Sequence, residues 1–183
     1  QLPRAVIEKL PRLKLISQTG RLGGHVDLAA CTERGVAVAE GVGSPVAPAE
    51  LTWALIMAAT RRLPQYIGNL KHGAWQQSGL KAGSMPTNFG LGTVLKGRTL
   101  GIWGYGKIGQ MVAGYGKAFG MTVIGVDPAD LPYAPHLDRS VPPDRLDVVL
   151  PEADVVFIAA PHTPATDKMF RAAQFAKMKR GSL

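Results

Sequence analysis

The chain has 183 residues, 46% of them hydrophobic, and a formal net charge of +8. This length and apolar content allow a packed core and exclude a globally disordered chain. The longest mostly apolar stretch, 51–60, is far shorter than the ~20 residues that span a bilayer, so no membrane partner is expected. The basic residues are scattered, with Arg61-Arg62 and 177–180 the densest groups, and no nucleic-acid-binding motif accompanies them. They read as a solvated surface or an attraction for phosphate, and nucleic acid is not expected as a partner. Cys31 is the only cysteine, which rules out an internal disulfide and favours a reducing compartment, here the cytoplasm. The sequence opens with Gln1, without a secretory signal pattern, and a trimmed or partial chain is expected.

In chain order, residues 13–17 read as a strand that ends in a glycine-bearing loop over 19–24. A short helix follows over 27–34 and stops at Gly35. The run GVAVAE is a second strand. Ser44 then offers a cap, Pro48 suits a first turn and Glu50 favours the positive end of the helix dipole, so a helix is expected over 48–62. That helix is apolar nearly all round, at Leu51, Trp53, Leu55, Ile56 and Met57, and is expected to be buried. The stretch from Lys71 to Gly97 has no period and reads as loop.

From Gly97 the pattern alternates. Residues 99–103 form a strand. Residues 107–119 form a helix whose Ile108, Met111, Val112, Tyr115 and Phe119 share one face. A strand over 121–126 ends at Asp127. A proline-rich segment follows, with at most a short strand at Ser140-Val141. A short helix is expected over 144–150. The run ADVVFIAAP is almost continuously apolar, as a parallel strand buried on both faces should be. A helix is expected over 166–178 with Gly181 as its stop, and a further strand is due where the sequence ends, so an exposed sheet edge with reduced stability or self-association is expected.

Residues 101–110, GIWGYGKIGQ, place Gly104, Gly106 and Gly109 between a strand and a helix. Gly104 allows a tight turn, Gly106 lets the backbone approach a pyrophosphate, and Gly109 lets the helix pack on the strand. Amides at the helix start favour the phosphates. Asp127, at the end of the next strand, can accept hydrogen bonds from both adenosine ribose hydroxyls. The same carboxylate would repel a 2′-phosphate, and no Arg follows at Pro128 or Ala129, so NAD is expected over NADP. A strand–turn–helix with incidental glycines is the competing reading. No Cys/His cluster has metal-ligand spacing, so no metal is expected.

Four stretches resemble the D-isomer-specific 2-hydroxyacid dehydrogenases: LKLISQTGRLGGHVDLAACTERGVAV, SPVAPAELTWALIMAATRRLP, LKGRTLGIWGYGKIGQ and EADVVFIAAPHTPATDKMF with the following FAKMKRGSL. The second is similar to the family's crossover helix, although Pro48-Ala49 stands between Ala47 and Glu50 in place of the usual Val-Ala-Glu element. The resemblance implies an α/β fold: an incomplete, doubly wound parallel sheet of Rossmann type, with a remnant of a flavodoxin-like substrate domain. It implies a partial substrate domain over 1–43, a crossover helix and linker over 44–95, and an NAD-binding domain over 96–183. Tyr105, Gly106, Lys107 and Ile108 would contact the pyrophosphate, Asp127 the ribose, and Ala160, Pro161 and Thr166 the adenosine side. Gly20, Arg21, Leu22 and Gly23 would offer backbone N–H groups to the carboxylate of a small 2-hydroxy or 2-keto acid, as consecutive amides in a turn can; an ordinary strand-to-helix connection is the alternative. A homodimer through the crossover region is implied.

The family's catalytic Arg, Glu and His lie past the matching segment, so no catalytic residue is assigned here. None of His25, His72, His136 or His162 takes the acid/base role by motif. His162, after Pro161, reads as a loop histidine beside the adenosine, with an acid near the nicotinamide as the other reading. Ala159 stands where relatives often carry a His two residues before this Pro. A non-catalytic NAD(H)-binding module, or a corepressor-like partner-binding protein, is the alternative to a dehydrogenase.

Overall fold

A strand followed by a helix returns the backbone to the end of the sheet from which it started, so the alternation in this sequence demands parallel strands. The computed structural model describes residues 1–73, 92–127 and 134–183. Expectations for 74–91, and for Pro128 and Ala129, lie outside the described residues. There are two compact units, Gln1–Pro45 and Val46–Leu183.

The first unit carries α1 (Arg4–Ile7), β1 (Leu15–Gln18), α2 (Leu28–Glu33) and β2 (Ala37–Glu40). The strands pair in parallel, from Leu15 opposite Ala37 to Gln18 opposite Glu40. Ile7, Val26, Ala30, Cys31 and Val36 form the core. Asp27 caps α2 by accepting the Ala30 N–H at 2.8 Å. Gly35, with φ of 65°, ends the segment in the left-handed region as expected. Arg4 clasps Glu33 through two hydrogen bonds of 2.6 and 3.0 Å and ties α1 to α2.

The second unit opens with α3 (Val46–Thr60) and α4 (Leu63–Lys71). The sequence did not predict α4. Arg62, with φ of 55°, turns the backbone between the helices, and Pro64 sits in the first turn of α4. Burial of α3 is only partial. Ala49, Ile56 and Thr60 are buried, whereas Leu51 and Leu55 are each 61% exposed. The helix packs one face against α5 (Lys107–Ala118), so an all-round apolar sequence leaves the other face uncovered within this unit.

The sheet contains β3 (Thr99–Trp103), β4 (Thr122–Val126), β5 (Arg139–Val141) and β6 (Val155–Ile158), all parallel, in the order β5-β4-β3-β6. Leu100 and Ile102 face the core under α5, while Trp103, Ile124 and Val126 face the opposite core with Val149 and Leu150. A 3-10 turn (Pro143–Arg145) and α6 (Leu146–Val149) replace the single helix expected over 144–150. The helix expected over 166–178 shrinks to α7 (Ala172–Phe175). Lys168 has φ of 52° and Arg171 is extended, so neither continues a helix. Leu183 donates to the Asp154 carbonyl at 3.0 Å and accepts the Val156 N–H at 2.8 Å, so this last residue already pairs along β6 as a parallel strand would.

Candidate functional site

Because the four strands are parallel and in register, their carboxyl ends lie along one edge of the sheet. The glycine loop follows Trp103, Asp127 follows Val126, and Ala159 to Pro161 follow Ile158. Sequence order reverses between β3 and β6, and ligands bind at such switch points in open α/β sheets.

The three glycines have separate structural reasons. Gly104 has φ of 90°, and a Cβ there would lie 2.7 Å from the Ala160 backbone nitrogen. It therefore brings the loop against the end of β6. A Cβ at Gly109 would collide with the Gly104 carbonyl oxygen. A Cβ at Gly106 would meet nothing within 4 Å. The space it would enter is open, which fits a close-approaching phosphate and is not required by packing. Among the described residues the N–H groups of Gly106, Lys107 and Ile108 have no acceptor, as at an uncapped helix start. These open donors, in the positive field of α5, fit a dinucleotide pyrophosphate.

Asp127 Oδ2 accepts the Tyr105 N–H at 2.7 Å, which ties the glycine loop to the end of β4. A carboxylate has about four lone-pair positions, so this bond is compatible with accepting ribose hydroxyls. The Tyr105 side chain turns into the core and is 3% exposed, leaving only its backbone at the loop. Burial pushes its phenol above the usual value, and the His136 amide faces the hydroxyl without reaching hydrogen-bond geometry. Lys107 is exposed, and Ile108 packs against the core. The Thr166 hydroxyl donates to the Pro161 carbonyl at 2.6 Å and accepts the Thr163 N–H at 2.8 Å. It thereby staples the turn after β6. His162 is 82% exposed and sits 3.0 Å from Asp167.

A cleft of about 320 Å³, lined by Arg62, Arg98, Asp154, Lys179, Arg180 and Leu183 among others, contains no glycine-loop residue. It opens at the amino ends of β3 and β6, where Arg98 and Asp154 stand, opposite the switch point. The strand-end geometry, rather than this cleft, locates the candidate site.

In the first unit, the loop Gly20, Arg21, Leu22 and Gly23 follows β1. The Leu22 N–H already donates to Glu40 Oε2 at 2.8 Å. Gln18 Nε2 donates to the Arg21 carbonyl at 2.8 Å. Sequence reasoning missed Glu40 and Gln18; the pairing of β1 with β2 brings Glu40 to the loop, and Gln18 reaches it locally from three residues away.

A parallel sheet with a glycine loop at its switch point and a carboxylate ending the second strand defines a dinucleotide-binding domain. Residues 53–183 match the D-isomer specific 2-hydroxyacid dehydrogenase, NAD binding domain. The chain belongs to that family, and the cofactor of the matched domain is NAD. It is 35% identical to a D-3-phosphoglycerate dehydrogenase of Methanocaldococcus jannaschii over 188 residues, covering 100% of this chain and 33% of the relative. A solved oxidoreductase of Ralstonia solanacearum superposes with a TM-score of 0.82 at 50% identity, covering 100% of this chain and 54% of that one. A D-lactate dehydrogenase of Aquifex aeolicus, solved with NAD and lactic acid, superposes with a TM-score of 0.80 at 32% identity, covering 97% and 50%. The sequence thus spans a third to about half the length of these proteins.

Proposed function

We propose that the protein is an NAD-dependent oxidoreductase acting on a D-2-hydroxy or 2-keto acid. Bound NAD(H) supplies or accepts a hydride, which is exchanged with C2 of the acid. The observation that carries this reading is the meeting of the open Gly106–Ile108 amides, Asp127 and the end of β6 on one sheet edge. In this reading the amides of Gly106, Lys107 and Ile108 surround the pyrophosphate, and Tyr105, whose N–H is held by Asp127, contacts it through backbone alone. Asp127 takes the ribose hydroxyls and disfavours a 2′-phosphate. Ala160 and Pro161 line the adenosine side, and Thr166 keeps that turn in shape. The Gly20–Gly23 loop takes the carboxylate of the acid. The exposed Leu51 and Leu55 of α3 support a homodimer through the crossover region.

The test is NADH oxidation with glyoxylate and with hydroxypyruvate, using the product of the gene's whole reading frame. Turnover on either acid is expected. A protein that binds NADH and turns over neither acid is instead a non-catalytic NAD(H)-binding module.

A further inference from the structure

The Arg21 carbonyl and the Leu22 N–H belong to one peptide unit. Gln18 donates to the oxygen of that unit, and Glu40 accepts from its nitrogen, each at 2.8 Å. Gln18 and Glu40 are register partners across β1 and β2, so adjacent strand-end side chains grip the two ends of a single peptide. The grip is itself anchored. Because the Arg21 carbonyl can only accept, Gln18 must present its amide nitrogen there and its oxygen to His25. His25 Nε2 lies 2.6 Å from that oxygen and must therefore be the donor, in either its neutral or its protonated form. On the other side the Gly41 N–H donates to the Gly20 carbonyl at 3.2 Å. A Cβ at Gly41 would lie 2.7 Å from the Thr19 carbonyl carbon, so this close approach requires glycine. Glu40 is thus fixed beside the loop by its own neighbour.

This geometry bears on the acid-loop reading above and rests on it. If the loop amides take a ligand's carboxylate, one of them is already occupied by a carboxylate of the protein. We propose that Glu40 is a built-in occupant of the acid loop, a specificity-determining residue that an incoming 2-hydroxy or 2-keto acid must displace from the Leu22 N–H. Two carboxylates cannot share that single donor without repulsion, and a second negative charge on the acid adds to it. Glu40 therefore weakens acid binding overall, and weakens it most for acids that carry a further anionic group. Gln18 keeps the peptide in the same orientation after Glu40 leaves, so the released N–H still points toward the incoming ligand.

The experiment follows backbone amide resonances of the 183-residue protein on titration with D-lactate and, separately, with 3-phosphoglycerate, in the unsubstituted protein and in Glu40→Ala and Glu40→Gln. Without substitution, D-lactate is expected to move the Leu22 amide and the Glu40 side-chain carboxylate carbon together, as a displacement requires. Glu40→Ala is expected to bind D-lactate at least about fivefold more tightly, the scale of one contested charged hydrogen bond, and to gain more for 3-phosphoglycerate. Glu40→Gln keeps an acceptor without the charge and is expected to fall between; it also covers the case in which the Ala variant loses its fold. Loop amides that respond with the same affinity in all three proteins would overturn the role of Glu40 and leave the acid loop standing. Loop amides silent to both acids in every folded protein would overturn the acid-loop reading and the proposal with it.

Discussion

Gly104 and Gly106 share a motif and serve different ends. Gly104 is in the left-handed region and pressed against Ala160, so its absence of a side chain is structural. Gly104→Ala is expected to cost about 2–4 kcal/mol of stability from backbone strain and a forced shift of the β6 end. Gly106 has φ of −75° and open space at its Cβ position. Gly106→Ala is expected to melt within a degree or so of the parent, about the scale of a neutral surface change. It is also expected to lose about tenfold or more in NADH affinity, because the methyl group stands between phosphate and amides. Paired thermal melts and NADH titrations check both; a Gly106→Ala protein that binds NADH normally contradicts the assignment. His162, exposed and paired with Asp167, is expected to tolerate alanine with unchanged NADH binding by the same titration. The glycines and Asp127 were legible in the sequence because their spacing from the strands is fixed along the backbone. Glu40 was not, because its partner lies 18 residues away and only strand pairing joins them.

At the scale of elements, Asp154 holds the start of β3 to the start of β6. It accepts the Thr99 N–H at 2.8 Å and stands 3.2 Å from Arg98 and 3.1 Å from Lys179. Burial alone would raise its carboxyl, but the Thr99 N–H and the two cations bring it below the ordinary value. Asp138 is lowered as well, by Lys117 first and then the Val123 N–H. A carboxyl that is more acidic folded than unfolded stabilises the fold above its unfolded value, near 4, and loses that contribution as pH falls through the folded value. Stability is therefore expected to drop as pH is lowered below about 4, and Asp154→Asn is expected to flatten that drop. At pH 7 the same variant is expected to be about 1–3 kcal/mol less stable, since it weakens the bond to Thr99 and unpairs two cations. Urea melts across pH measure both, and an Asp154→Asn protein with the parent's acid profile contradicts the account. The strands β3 and β4 were legible because buried parallel strands are continuously apolar. The strand β6 was legible by the same apolar run, but it is not buried on both faces as expected, since only Val155 is buried and Ile158 is 47% exposed. The helix after β6 was overextended because composition does not reveal that Thr166 bonds back to Pro161 and that Lys168 leaves helical space. The helix α4 was hidden by the turn at Arg62.

At the scale of the whole molecule, Leu51 and Leu55 lie one turn apart on α3 and remain 61% exposed. If the crossover helix joins two copies, Leu55→Glu is expected to weaken dimerisation by about tenfold or more, since a buried leucine contributes about 1.5–3 kcal/mol. Sedimentation equilibrium reads this directly, and an unchanged association constant would place the dimer elsewhere. An apolar sequence does not distinguish a helix buried within its own unit from one left open for a partner, which is why α3 was expected to be wholly covered.

The most direct test of the central claim, that the switch point of this sheet is an NAD site, is calorimetric titration of the 183-residue protein with NADH and with NADPH. Quenching of Trp103, which is buried one residue before Gly104, provides a second signal. The expected result is saturable one-to-one binding of NADH, with NADPH weaker by about tenfold or more from repulsion between its 2′-phosphate and Asp127, and loss of that discrimination in Asp127→Ser. A folded protein that binds neither dinucleotide, or that binds NADPH as well as NADH, would contradict it.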